Sequence, residues 1–331
     1  MMESGMEKEI QLQIEMYKRY RTLVRMSDSE KQKYTSHEKQ KNVLDKNYKK
    51  ILFGEKDVKK WEKTITEIRF SDAIPAKSVI KASGTNIYGD ISEKKDHSVI
   101  GWVEYINNGT GYILHIDGEE NIYAPVYCSD LFKEFGQVEK IEFGDVFDTS
   151  QTTNMGWMFW GCKKLKILDI SQFHTENVTN MTSMFFGCQN LEVLDVSGFH
   201  TGKVTGMKNM FYYCQKLSTL DVSNFDTRNV TDMSCMFEEC INLQSLNVSG
   251  FHTENVTDME KMFKNCRNLS TLDVSGFCTK NVTNMKWMFW YCTNLKVLDL
   301  SGFDMQKVTD STGMLDGCVS LKTTSVEALL K

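Results

Sequence analysis

From Phe147 onward the apolar positions return every 26 residues without an insertion. Seven units open at Phe147, Phe173, Phe199, Phe225, Phe251, Phe277 and Phe303, and follow F-x-T-x-x-V-T-x-M-x-x-M-F-x-x-C-x-x-L-x-x-L-x-V-S-G. A fixed period of this length marks stacked repeats, because one unit cannot bury its own apolar face. Within the second unit, Met181, Met184, Phe185, Cys188 and Leu191 fall at i, i+3, i+4, i+7 and i+10. That spacing predicts one face of a short helix, with Thr179 or Asn180 as its N-cap. Leu191, Leu194 and Val196 then alternate around Asp195, which predicts a short inward-facing strand. Strand, corner, helix and corner together describe a leucine-rich-repeat coil. Its strands are expected to stack in parallel about 4.8 Å apart, with helices on the other side.

The end units deviate, as capping units do. Thr152 stands for valine in the first, and Ser311, Leu315 and Thr324 replace core residues in the last. Residues 131–143, "LFKEFGQVEKIEF", read as a degenerate eighth copy. Upstream, alternating apolar residues across 98–128 flank the turn signals Asn108-Gly109 and Asp117-Gly118, predicting a small antiparallel sheet that covers the first repeat. Further upstream, the stripe Ile10, Ile14, Tyr17, Val24, the capping box Ser27-x-x-Glu30, and Val58, Trp61, Ile65, Ile68 predict three helices. The expected organisation is therefore a basic α-helical hairpin or bundle over 1–72 and a linker over 73–97. A β-rich cap follows over 98–146, seven repeats over 147–326 and a tail over 327–331.

The unit "NVTDMSCMFEECINLQSLNVSGF", with the lead-in "SVIGWVEY…YILHI…IYAP", resembles the BspA-like bacterial leucine-rich repeat over about residues 88–326. The resemblance implies a right-handed solenoid of α/β leucine-rich repeats and a non-catalytic role in adhesion, host contact or protein binding. Many members of that family are exported.

The composition fits a folded chain: 41% hydrophobic and 25% charged residues in 331. No run of about 18 apolar residues occurs, so no membrane-spanning helix is expected. The opening "MMESGMEKEIQLQIEMYKRY" lacks the apolar core of a signal peptide. A cytoplasmic location is the expectation, or the cell surface or secretion if an export signal has been removed. Seven of the ten cysteines, Cys162 to Cys318, share one repeat position, and no CxxC pair exists. They read as small apolar fillers rather than disulfides or metal ligands. Cys128, Cys235 and Cys278 break the series and are the expected accessible thiols. The net charge of −5 is uneven. Residues 1–64 carry 16 Lys/Arg against 11 Asp/Glu, and the remainder 23 against 33. The acidic repeats argue against nucleic acid there; residues 1–72 are the place for it, for an acidic partner, or for a homodimer contact.

Two series on the repeats are candidate partner-binding residues. Trp160, Phe186, Tyr212 and Trp290 occupy one repeat position, with Trp157, Tyr213, Trp287 and Tyr291 close by. In helical phase they lie beside the core face, as exposed anchors or as rings packed between neighbouring units. Asp169, Asp195, Asp221, Asp273 and Asp299 point outward from the expected strands and need hydrogen bonds, a cation or a basic partner to offset their repulsion. His174, His200 and His252 recur at a corner, but two ligands per neighbourhood fall short of a zinc site. Asn-Val-Thr at Asn177, Asn229, Asn255 and Asn281 reads as a turn element rather than a glycosylation site. No phosphate loop, HExxH or nucleophile–base–acid set appears. The expectation is a non-catalytic protein-binding scaffold without metal or cofactor. A surface adhesin that binds host or glycan, and a nucleic-acid-binding regulator, are the alternatives.

Overall fold

The computed structural model describes residues 42–106 and 111–322. Two one-turn helices, α1 (Tyr48–Phe53) and α2 (Val58–Glu62), lead into strand β1 (Ile65–Ser71). Helix α3 (Lys77–Ala82) and strands β2 (Tyr88–Asp90), β3 (Val99–Tyr105) and β4 (Tyr112–Gly118) follow. Then come β5 (Ile122–Tyr123), β6 (Lys140–Glu142), β7 (Phe147–Asp148) and β8 (Ile167–Leu168). In the later repeats only β9 (Thr219–Asp221) and β10 (Ser245–Asn247) remain as strands. The main sheet is mixed, ordered β2-β3-β4-β1-β6-β8. Strand β3 is antiparallel to both of its neighbours, β2 and β4, whereas β1 runs parallel to both β4 and β6.

This overturns the expected α/β leucine-rich-repeat solenoid with a separate helical N-terminal segment. Among the described residues no helix occurs in the repeats, and the one large sheet is mixed. The helix expected through Val58, Trp61, Ile65 and Ile68 stops at Glu62. Ile65, Ile68 and Phe70 instead belong to β1, buried at the centre of the sheet. Buried on one face and flanked by parallel neighbours, this stretch of β-branched and aromatic residues gains more from ladder pairing than from continuing a one-turn helix. The stripe Ile10 to Val24 and the Ser27 capping box lie outside the described residues.

The repeats fail to form helices for a specific reason. Residues at two positions of each unit adopt left-handed backbone: Ser183 and Gly187 in the second unit have φ of 55° and 73°. A left-handed residue every four positions breaks α-helical bonding. The chain makes successive turns instead, with Met184 N–H donating to Met181 C=O and Cys188 N–H to Phe185 C=O. The intervening amides reach the next unit. Met181, Ser183, Phe185 and Gly187 donate to the carbonyls of Gly206, Lys208, Met210 and Tyr212 at 2.7–2.9 Å. Successive turns place Met, Met, Phe and Cys inward at the same spacing as a helix face, so the core is the one the pattern implied. Met181, Met184, Phe185, Cys188 and Leu191 are all fully buried. The strands are short because Asp195 and its counterparts accept the N–H of the serine two residues on, which turns the chain away.

Two side-chain ladders fasten the units. The F-x-T threonine is buried, and its hydroxyl donates to a carbonyl 25 residues on, as Thr149 does to His174 and Thr227 to His252. In most units the same hydroxyl accepts that residue's N–H in return. Each ladder cysteine donates its S–H to a phenylalanine carbonyl of the preceding unit, at 3.1–3.3 Å. One apolar core runs from Leu44 through the repeats to Met314. The copy at 131–143 joins the ladder too, with Phe132 and Glu134 donating to Met158 and Trp160.

Candidate interaction surface

The turn segments form one face of the repeats, and eight of the candidate aromatics lie on it. Trp160, Phe186 and Tyr212 stack as a column, with ring centroids 5.3 and 4.6 Å apart and interplanar angles of 20° and 14°. Tyr213 stacks on Tyr212 at 5.6 Å. In the next two units the column continues with Glu238 and Lys264, an ion pair at 2.7 Å whose carboxylate is buried. Trp290 follows, with Tyr291 against it at 4.1 Å. Cations attend the second cluster: Lys261 and Lys286 lie 5.2 and 4.5 Å from the Trp287 ring, and Lys264 lies 5.3 Å from Trp290. Lys133 lies over Trp160 at 5.3 Å. These are cation–π distances, and the amines also keep acidic neighbours in Glu260, Glu238, Asp310 and Asp130.

Four of these aromatics sit on left-handed backbone. Trp157, Tyr213, Trp287 and Tyr291 have φ of 58°, 64°, 55° and 57°. At the same two positions other units carry Gly161, Gly187, Gly313 and Gly317, which accept this conformation without strain. A bulky residue there costs on the order of 1 kcal/mol. Two of the glycines also make room for the rings before them. A Cβ on Gly313 would stand 2.6 Å from the Trp287 ring, and one on Gly317 would stand 2.5 Å from Tyr291.

Asp169, Asp195, Asp221, Asp273 and Asp299 are exposed on the opposite, strand side of the units. Hydrogen bonds from Ser171, Ser197, Ser223, Ser275 and Ser301 hold their carboxyls below the usual carboxylate range. Their repulsion is thus offset locally, by the turn each one closes. At the corner, His174 and His200 approach Glu176 at 3.7 and 4.0 Å, beside a shallow open depression lined also by Lys203 and Asp226. Among the described residues no group of three or more His, Cys, Asp or Glu could hold a metal ion.

The cysteines divide differently from the sequence expectation. Cys128, expected to be accessible, is fully buried and donates to the Pro125 carbonyl at 3.2 Å. Burial pushes its thiol up to about 12, as it does those of Cys162 and Cys240. Burial also raises Cys235 strongly, with Glu238 adding to it. Cys278 is half-buried. Sequence reasoning missed the left-handed positions and the lysines that attend the tryptophans. The glycines recurring at Gly161, Gly187, Gly313 and Gly317 were the available signal for the former.

The family model described as "Mycoplasma protein of unknown function, DUF285" matches residues 127–221 and 215–328. The chain belongs to the DUF285 family. The two matches together span the degenerate copy and all seven repeats. No curated protein and no solved structure matches the chain. Among the described residues no helix is long and apolar enough to cross a membrane.

Proposed function

We propose that this DUF285 chain is a non-catalytic scaffold whose turn face binds a protein partner. The observation that carries the reading is the placement of Trp157, Tyr213, Trp287 and Tyr291 on left-handed backbone. Contacts within the fold offset part of the cost of that backbone for Tyr213, Trp287 and Tyr291, and the ring surface they leave at the face is what a partner would meet. The ring geometry favours a protein over a glycan. In the Trp160–Phe186–Tyr212 column the ring faces are turned on one another, leaving edges outward. Sugar recognition needs free ring faces, whereas exposed edges suit aromatic and aliphatic side chains. The resemblance of the unit to BspA-like repeats adds support, since protein contact is among the roles of that family.

The test uses glycine, which the backbone at these positions accepts. Trp157→Gly, Tyr213→Gly and Tyr291→Gly are expected to fold with unchanged circular dichroism. Each should lose most of the partner retained by the wild-type chain in affinity capture, at least about tenfold in Kd for a true anchor. Retention of the same partner by the triple variant would sink the proposal.

A further inference from the structure

The turn face of an inner unit has no backbone group left for a visitor. In the second unit every N–H from Met181 to Cys188 is hydrogen-bonded within the stack. Met181, Ser183, Phe185 and Gly187 donate to the third unit, Met184, Phe186 and Cys188 close the turns, and Thr182 donates to Asn180 Oδ1 at 2.9 Å. The carbonyls are taken as well. Asn180, Thr182, Met184 and Phe186 accept from Met155, Trp157, Phe159 and Gly161, and Met181, Ser183 and Phe185 accept the turn amides. An extended segment laid here would take its own amides out of water and find no acceptor for them. A helix satisfies its backbone internally and brings only side chains.

The spacing of the face selects the same occupant. Successive rings of the buried column Phe159, Phe185, Phe211, Phe237, Phe263 and Phe289 lie 5.4–5.7 Å apart. The outer column Trp160, Phe186 and Tyr212 repeats at 5.3 and 4.6 Å. Helix residues at i, i+4, i+7, i+11, i+14 and i+18 advance about 5.3 Å per row on average. Over the five steps from Trp160 to Trp290 the two spacings part by less than about 2 Å. Alternate residues of a strand advance about 6.7 Å and would slip by roughly one whole unit over the same length.

The flank of the column adds a sign. Three and four residues after each column position, units one to six carry Lys163, Lys164, Lys216 and Arg267, all exposed, and no acidic residue.

We propose that the protein partner of the turn face, a reading on which this inference rests, docks there as an acidic amphipathic helix laid along the stack. Its apolar residues at i, i+4 and i+7 meet Trp160, Phe186 and Tyr212. Polar residues at i+11 and i+14 lie over the Glu238–Lys264 pair, and an apolar residue at i+18 meets Trp290. Carboxylates along one side of the stripe face Lys163, Lys164, Lys216 and Arg267. The helices of the described residues are five or six residues long, too short to span five steps, so the described part of a second copy does not supply the occupant. Side-chain anchors at this spacing are how a helix is read by an apolar surface.

The experiment measures the affinity of three designed peptides for the full chain by fluorescence anisotropy. Each is about 22 residues long, enough for six rows. The first places leucines on the helical stripe above and glutamates beside it. The second has the same composition with leucines at every second residue. The third is the first with lysines for glutamates. The first is expected to bind at least about tenfold more tightly than either of the others, and Tyr213→Gly to weaken it about as much. The combined variant Lys163→Glu, Lys164→Glu and Arg267→Glu should exchange the preference, taking the third peptide over the first. Equal binding of the second peptide overturns the helix and leaves the turn face as a site. No binding of the first at roughly millimolar peptide, where even weak docking registers, also overturns it, as does indifference to Tyr213→Gly or to the charge reversal. Self-association of the free chain that Tyr213→Gly abolishes would make the occupant a second copy and overturn it too. Capture of a natural partner by the wild-type chain tests the turn face itself, separately from these peptides.

Discussion

Replacing Thr227 by valine keeps the shape of the side chain and removes its hydroxyl. Thr227 is fully buried. Its Oγ1 donates to the His252 carbonyl at 2.8 Å and accepts the His252 N–H at 2.8 Å. Valine therefore strips both partners from one backbone unit while adding a methyl to an apolar site. Two ordinary hydrogen bonds contribute about 1 kcal/mol each, and a buried amide left without an acceptor costs a further 1–3 kcal/mol. The methyl returns about 0.8 kcal/mol. The expected loss is roughly 2–4 kcal/mol, concentrated at the junction of the fourth and fifth units. Thr227→Ser keeps the hydroxyl and gives up only the methyl, about 1 kcal/mol. The order is thus the reverse of what hydrophobicity alone implies. Urea midpoints of the two variants compare them, and amide exchange at His252 locates the damage. Stacked repeats need not unfold in one step, so the local readout matters as much as the midpoint. A valine variant as stable as the serine one, with the His252 amide still protected, would show that the threonine ladder does not fasten the units.

Further outcomes follow from other sites. Asp117 is buried, accepts the Trp102 indole N–H at 2.5 Å, and is pushed up to about 6 by that burial. Its native proton affinity exceeds the unfolded one, so its contribution to stability is full below about pH 4 and falls as pH rises toward 6. The change amounts to no more than about 2–3 kcal/mol and should vanish in Asp117→Asn when urea midpoints at the two pH values are compared. Gly317→Ala places a Cβ 2.5 Å from the Tyr291 ring on backbone with φ of 80°. It should destabilise by about 1–3 kcal/mol and displace the ring, seen as a shift of the Tyr291 resonances; an unchanged spectrum would contradict the packing. A maleimide at pH 8 is expected to label Cys278 within minutes, while the buried Cys128, Cys162, Cys188, Cys214, Cys240, Cys266 and Cys292 react only after unfolding. Peptide mapping of the label distinguishes them, and early label at Cys162 or Cys240 would refute their placement.

What the sequence determined by itself was the period and the inside. A spacing of 26 residues with no insertion forces each unit onto its neighbours, and the recurring Phe, Met, Cys, Leu and Val positions of the inner units are the ones that are buried. The Asp-x-Ser pairs were legible as charges needing an offset, from hydrogen bonds, a cation or a basic partner, and the aromatic column was legible as a column. The conformation joining these positions was not, because inward residues at i, i+3, i+4 and i+7 suit a helix and a run of turns alike. The choice rests on amide-to-carbonyl bonds between residues 25 or 26 apart, and no local window contains both partners. The same holds for β1, whose neighbours β4 and β6 lie far along the chain. Only the folded stack could show that Trp157, Tyr213, Trp287 and Tyr291 stand on left-handed backbone. It alone could show that Tyr48 and Lys49 of α1 donate to the carbonyls of Leu131 and Lys133 at the start of the ladder.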